Sequence, residues 1–136
     1  MISLVSILIL FTLQLKAPLD NRVVIIKDEP VRPYEAVWNA TCKVESNFNP
    51  FAVGDTTLQS WSYGIVQIRK IRLDDYFMRT GIRYTTKDMF DPAKAKEVFI
   101  YFADRIGPYD IERISRNWNG AWRLTASYWK RVSKHL

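Results

Sequence analysis

One segment of the chain reads YEAVWNATCKVESNFNP over residues 34–50, and it decides our interpretation of the fold. Trp38, Cys42 and Glu45 recur at the spacing of a single helix face, so the segment predicts an α-helix. The Asn-rich stretch that follows is a poor helix former, and the helix is therefore expected to end near Ser46. This placement puts Glu45 on the last turn, on the same stripe as the apolar side chains.

An apolar stripe is an unusual place for a carboxylate such as Glu45. Burial there disfavours the ionised form, and an acid with a raised pKa suits general acid catalysis. The alternative is that Glu45 lies at the edge of the stripe, where water solvates it. Periodicity alone leaves both interpretations open.

The rest of the chain predicts a mainly helical α+β fold with a small β-hairpin between Val53 and Ile68. Asp91 followed by Pro92 is typical of a helix start, because Asp caps the first turn and Pro fits the first helical position. Glycine is expected to stop the preceding helix at Gly81. Further helices are predicted over residues 69–79, 92–106, 111–118 and 124–132.

The expected inward faces of two helices follow from the spacing of apolar residues. The inward residues of the helix over 69–79 are expected to be Ile71, Leu73, Tyr76 and Phe77. The inward residues of the helix that starts at Pro92 are expected to be Ala95, Val98, Phe99, Phe102 and Ile106. Tyr128 and Trp129 are expected to anchor the last helix.

Composition excludes several classes of chemistry. The chain has 136 residues, enough for one domain, and its 48% apolar and 14% aromatic content is not that of a disordered chain. The single cysteine, Cys42, cannot form an internal disulfide, and with the single histidine, His135, it cannot build a Cys/His zinc site. Acid–base chemistry must therefore come from carboxylates, Tyr or Lys. Cys42 itself is expected to be a small core residue.

The net charge of +6 favours polyanionic partners, which include nucleic acid, anionic lipid and the acidic polymers of a bacterial wall. No block of five like charges occurs, which argues against a tail that binds nucleic acid.

The N-terminal residues resemble a targeting segment rather than a part of the folded domain. Residues 1–15 carry no charge and eleven of them are apolar, which predicts a signal peptide over 1–17. A membrane anchor is the close alternative, and a buried first helix is a third. Residues 18–33 are expected to form a linker, and residues 34–136 the folded domain. The protein is then expected in the periplasm or cell envelope or outside the cell, with possible membrane attachment through residues 1–15.

Three short motifs now identify a resemblance. Residues 45–50, Glu-Ser-Asn-Phe-Asn-Pro, resemble the motif of soluble lytic transglycosylases around their catalytic Glu. Residues 62–68, Ser-Tyr-Gly-Ile-Val-Gln-Ile, are similar to the family's Ser-x-Gly-hydrophobic-x-Gln-hydrophobic element. Residues 118–120, Trp-Asn-Gly, resemble its aromatic-Asn-x-Gly motif. The end of the last helix, residues 128–132, also follows the family pattern.

The resemblance implies a lysozyme-like α+β fold and cleavage of the β-1,4 bond between N-acetylmuramic acid and N-acetylglucosamine. It implies no metal or organic cofactor. Glu45 matches the catalytic residue, which protonates the leaving oxygen and then takes a proton from the muramoyl C6 hydroxyl, giving a 1,6-anhydro product. Ser62 would help to orient Glu45. The resemblance assigns substrate binding to Ser62, Tyr63, Gly64, Gln67, Trp118 and Asn119.

Two alternatives stay open. A hydrolytic muramidase on the same fold would pair Glu45 with Asp55, which could activate water if it faces Glu45 across the cleft. A turn-forming role for Asp55 after Gly54 is the simpler interpretation. A non-catalytic module for wall binding or assembly is the other alternative. In each case the expected partner is the peptidoglycan glycan strand, with no nucleic acid, and the chain is expected to be a monomer.

Overall fold

Helices make up most of the described part of the chain. The computed structural model describes residues 32–136. Its α-helices are α1 (Glu35–Ser46), α2 (Lys70–Thr80), α3 (Pro92–Asp104), α4 (Ile111–Asn119) and α5 (Ala126–Val132). Its strands are β1 (Val53–Gly54), β2 (Ser62–Tyr63) and β3 (Ile68–Arg69), and 3-10 turns occupy Thr86–Phe90, Trp122–Leu124 and Ser133–His135. The prediction of a mainly helical α+β fold is confirmed.

Helix α1 ends where the sequence predicts. Asn47 is its C-terminal cap in a left-handed conformation, with φ of 52°, and its N–H donates to the carbonyl of Lys43 at 3.1 Å. Asn tolerates this conformation better than most residues, which is why the helix stops there. Ser46 Oγ donates to the carbonyl of Ile65 at 2.7 Å, so the helix end is tied to the loop between β2 and β3.

The three strands form one antiparallel sheet in the order β1-β2-β3. Ser62 lies at its centre, opposite Gly54 on one side and Arg69 on the other. The expected hairpin is therefore present, with a third short strand. Gly64 follows β2 with φ of +78°, and a Cβ there would lie 1.9 Å from the carbonyl oxygen of Met89. The sheet and the 3-10 turn Thr86–Phe90 thus pack backbone against backbone.

Aromatic side chains join α1, α3 and α4 in the core. The rings of Trp38 and Phe99 meet edge to face with centroids 5.3 Å apart, and those of Phe99 and Trp118 meet at 4.8 Å. Each such pair adds about 0.5–1.5 kcal/mol beyond its buried area. The inward face predicted for α3 is buried as expected at Ala95, Val98, Phe99 and Phe102. Cys42 is also buried, as expected.

Helix α5 packs on α1 through a smaller apolar cluster. Tyr128 and Val132 of α5 lie against Ala40 of α1, and all three are buried. Trp129 is only partly buried beside them. This cluster brings the end of the described chain next to the helix that carries Glu45.

One predicted core residue is wrong. Ile71 was expected to face inward with Leu73, but it is 74% exposed whereas Leu73 is 3% exposed. Two residues that are two positions apart on a helix point about 200° away from each other, so both cannot face the same core. The buried stripe of α2 consists of Leu73 and Tyr76, with Phe77 partly buried beside them.

The expectations for residues 1–17 and most of the linker lie outside the described residues. Within residues 32–136, no helix has the length and apolar character needed to cross a membrane.

Candidate active site

A polar cleft of about 450 Å³ lies between the sheet and the ends of α1 and α4. It brings together five of the residues that the sequence assigned to the site, namely Glu45, Ser62, Gln67, Trp118 and Asn119. Four further charged residues also line it, Asp55, Arg69, Arg72 and Arg131. Residues from distant parts of the sequence thus converge on one space.

Glu45 forms part of the cleft wall and is held by a tyrosine. Tyr128 Oη donates a hydrogen bond of 2.7 Å to Glu45 Oε1. Burial raises the pKa of Glu45 above its ordinary value, and the charge of Asp55 acts in the same direction. The Tyr128 hydrogen bond and the charge of Arg131 lower that pKa in part. The proton is therefore retained to higher pH than on a solvated glutamic acid, which favours the first of the two interpretations of Glu45.

Ser62 lines the same cleft as Glu45, but its hydrogen bonds go to other residues. Its hydroxyl is buried, with Oγ 2.7 Å from Gln67 Oε1 and 3.0 Å from Asp55 Oδ2, and its single proton can go to either. The hydrogen bond that orients Glu45 comes from Tyr128 instead. The sequence offered Tyr128 only as an anchor of the last helix, because a partner 83 residues away leaves no local signal.

Asp55 is both a turn former and a cleft residue. Its carbonyl accepts a hydrogen bond from the N–H of Leu58 at 2.8 Å, as in a turn. Its carboxylate Oδ2 lies 2.7 Å from a guanidinium nitrogen of Arg69. The Arg69 hydrogen bond holds the pKa of Asp55 below its ordinary value, with a smaller contribution from Ser62. Glu45 and Asp55 thus have pKa values pushed in opposite directions within one cleft.

The Gln67 side chain braces the sheet. Its amide nitrogen donates to the carbonyls of Gly64, at 2.9 Å, and Ala52, at 3.3 Å. Its oxygen is within hydrogen-bond distance of Ser62. Because both ends of the amide are used inside the protein, Gln67 fixes the position of Ser62 in the cleft floor. Its contact with substrate stays a prediction.

The end of α4 forms another wall of the cleft. Trp118 is 8% exposed, and its indole N–H donates to the carbonyl of Val66 at 3.0 Å. Asn119 is exposed beside it. Trp118 is therefore mostly buried in the wall, and Asn119 is the polar group that the motif presents to the cleft. The contact of both residues with substrate stays a prediction.

Arg72 holds this wall in place, and sequence reasoning missed it. Its guanidinium donates to the carbonyls of Asn117, at 3.1 Å, and Trp118, at 3.0 Å. It lies over the rings of Phe102 and Trp118, 4.8 and 4.6 Å from their centroids. A cation at the C-terminal carbonyls of a helix is favourable. The sequence signal that could have identified Arg72 is the basic run at residues 69–72, which directly follows the 62–68 motif.

Tyr63 and Gly64 are not among the residues that line this cleft. The Tyr63 ring meets Phe90 edge to face at 6.1 Å, and Gly64 packs on the Met89 backbone. Both connect the sheet to the neighbouring 3-10 turn. Their predicted contact with substrate stays a prediction.

Neither metal ligation nor thiol chemistry finds support in the part of the chain that the structure describes. Residues 32–136 contain no group of three His, Cys, Asp or Glu side chains that could hold a metal ion. Burial raises the pKa of the Cys42 thiol to about 12. A thiol in that state is a poor nucleophile.

Removing the Tyr128 hydroxyl is expected to change the pH dependence of the site. In Tyr128→Phe, Glu45 loses a hydrogen bond that favours its ionised form, so its pKa rises further. The alkaline limb of kcat/KM, which reports loss of the proton from the acid in the free enzyme, is expected to move to higher pH. Tyr109→Phe, at a 99% exposed tyrosine, is the matched control. A limb that stays in place or moves to lower pH contradicts this account.

A half-buried glutamic acid in a polar cleft of a mainly helical α+β domain is the arrangement of lysozyme-like glycosidases. The family model for the transglycosylase SLT domain matches residues 34–128. The chain therefore belongs to this family of the lysozyme-like superfamily, which is of the peptidoglycan lytic transglycosylase type. The comparisons with curated proteins and with solved structures gave no match.

Proposed function

We propose that this chain is a peptidoglycan lytic transglycosylase that uses Glu45 as its single general acid and base. The observation that carries the proposal is the state of Glu45, a carboxyl with a raised pKa, held by Tyr128 in a cleft. Its position in the family motif and the family match over residues 34–128 support the same assignment. The bond cleaved is the β-1,4 bond from N-acetylmuramic acid to N-acetylglucosamine.

The reaction needs one proton to leave Glu45 and one to return. The protonated carboxyl first gives its proton to the glycosidic oxygen, and the bond from that oxygen to the anomeric carbon breaks. The resulting carboxylate then takes the proton of the muramoyl C6 hydroxyl, whose oxygen bonds to the anomeric carbon. Glu45 is protonated again, and the product carries a 1,6-anhydro ring. Tyr128 donates to the carboxylate between the two steps, when it is charged.

A hydrolytic muramidase is the second candidate, because Asp55 lines the same cleft as Glu45. A glycosidase of that kind needs a second carboxylate to activate water or to attack the sugar. Asp55 is ionised as such a role requires, but its Oδ2 is within hydrogen-bond distance of both Arg69 and Ser62. A carboxylate neutralised by a guanidinium is a weak base, so we favour the transglycosylase.

Product analysis separates these two candidates. Mass spectrometry of the fragments released from purified peptidoglycan is expected to find 1,6-anhydro ends, which are one water lighter than reducing ends. Asp55→Asn is expected to keep these products and most of the rate. Reducing ends from the parent chain, together with loss of activity in Asp55→Asn, would establish the muramidase instead.

We also propose that the chain is exported, since peptidoglycan lies outside the cytoplasm. The apolar residues 1–15 support this proposal as a signal peptide or membrane anchor. Cell fractionation of the full chain, with a variant that lacks residues 2–17, tests it.

A further inference from the structure

A second cavity, of about 690 Å³, adjoins the active-site cleft. Ile71, Arg72 and Gly120 line both spaces, so the two cavities share one wall. The second cavity extends from that wall towards the C-terminal ends of α2 and α3, where Arg79 and Arg105 line it. We call it the arginine cavity. None of the residues assigned to the site from the sequence belongs to it.

The arginine cavity has an excess of positive charge. Arg72, Arg79 and Arg105 line it, with Asp75 as the acidic residue among them. Asp75 pairs with Arg79 at 2.7 Å and so compensates one of the three cations. Arg105 is exposed, and within residues 32–136 no carboxylate lies within ion-pair distance of it. A carboxylate ligand would find a partner here, because a guanidinium fork matches its geometry.

Apolar side chains lie beside these cations. Ile71, Phe102 and Ile106 line the same cavity, and Ile71 presents most of its surface to solvent. The ligand that fits such a lining has carboxylates a short distance from methyl or methylene groups. Short peptides rich in alanine and acidic residues have this composition. Arg105 contacts the Tyr101 side chain, with a guanidinium nitrogen 3.5 Å from its hydroxyl, and so keeps donors for a carboxylate. A glycan without its peptides keeps only the lactyl carboxylate of each muramoyl sugar, and it has no methyl-bearing chain to cover the apolar lining.

We propose that the arginine cavity binds the peptide stem attached to the muramoyl sugar, with a stem carboxylate paired to Arg105. This inference rests on the proposed function, which places the muramoyl sugar in the adjoining cleft. The shared wall explains how one substrate reaches both spaces. Arg72, which braces the end of α4 from this wall, places the glycan and peptide surfaces next to each other.

The test compares two substrates with the full chain. One is purified peptidoglycan, and the other is the same glycan after an amidase has removed its peptides. Arg105→Gln is expected to lower kcat/KM on the peptide-bearing substrate about tenfold, mainly through KM, as loss of a charged hydrogen bond does. Its rate on the bare glycan is expected to stay within about twofold of the parent. Arg113→Gln, at an exposed arginine of α4 outside both cavities, is the matched control.

Each other outcome has a definite meaning. Equal losses on both substrates, or no loss on either, would overturn the assignment to the peptide stem. If the parent cleaves neither substrate, the proposed function fails, and sedimentation binding to the two polymers then decides the inference alone. Arg105→Gln must in that case weaken binding to the peptide-bearing polymer and leave binding to the bare glycan unchanged. Arg105→Glu, which reverses the charge, is expected to enlarge the same difference.

Discussion

Glu45→Gln is expected to lower kcat/KM on purified peptidoglycan by about 10²–10⁴-fold, the usual contribution of a general acid or base. Gln has the shape of Glu and can still accept the Tyr128 hydrogen bond, but it has no proton to give. The melting temperature is therefore expected to stay within a few degrees of the parent. Release of soluble fragments measures the activity, and thermal unfolding measures the fold.

The control for this variant is Glu112→Gln. Glu112 lies on α4 outside the cleft and pairs with Arg116 at 2.8 Å. The Gln side chain keeps an oxygen that can accept from Arg116, and neither residue lines the cleft, so the activity should be unchanged. If Glu45→Gln releases fragments as fast as the parent, the catalytic assignment is wrong. If the parent releases none, the chain is better described as a non-catalytic wall-binding module.

Gly64→Ala is expected to cause the largest loss of stability. The new Cβ would lie 1.9 Å from the Met89 carbonyl oxygen, so the backbone of β2 or of the facing 3-10 turn must move. Overpacking of this kind costs about 1–3 kcal/mol, and the left-handed φ adds about 1–2 kcal/mol for any residue with a Cβ. The free energy of unfolding is expected to fall by about 3 kcal/mol or more, which urea titration measures.

A second glycine isolates the close contact from the backbone conformation. Gly81 has φ of +75°, close to that of Gly64, but a Cβ there would meet no atom within 4 Å. Gly81→Ala is therefore expected to cost only the conformational part, about 1–2 kcal/mol. Equal losses in the two variants would show that the packing of Gly64 on Met89 does not limit stability.

Local signals in the sequence identified most of the secondary structure. The end of α1 follows from the left-handed conformation that Asn47 tolerates, and the start of α3 follows from the Asp91 side chain, which caps the first turn. Asp91 accepts a hydrogen bond from the N–H of Ala93 at 2.9 Å, as predicted for a helix start. Such interactions span only a few residues, so they can be predicted from the order of the amino acids. Ile71 was wrongly predicted to be buried because the prediction counted apolar residues but ignored their angles around the helix axis.

The interactions that complete the site could not be predicted in the same way. The motifs proposed Glu45 and Ser62 for the site, but they did not predict that Ser62 hydrogen-bonds to Gln67 or Asp55. The actual partner, Tyr128, and the brace of the α4 wall, Arg72, come from other helices. Their positions depend on how α2 and α5 pack, which short-range spacing does not determine.

The hydrogen bond between Tyr128 and Glu45 can form only late in the synthesis of the chain. The two residues are 83 positions apart, and synthesis proceeds from the N-terminus. A nascent chain that has reached Gly120 already contains Glu45 and the sheet, but it lacks the donor that orients the acid. It also lacks the contact of Val132 with Ala40 that keeps α5 on α1. The candidate site is therefore complete only after α5 has been made.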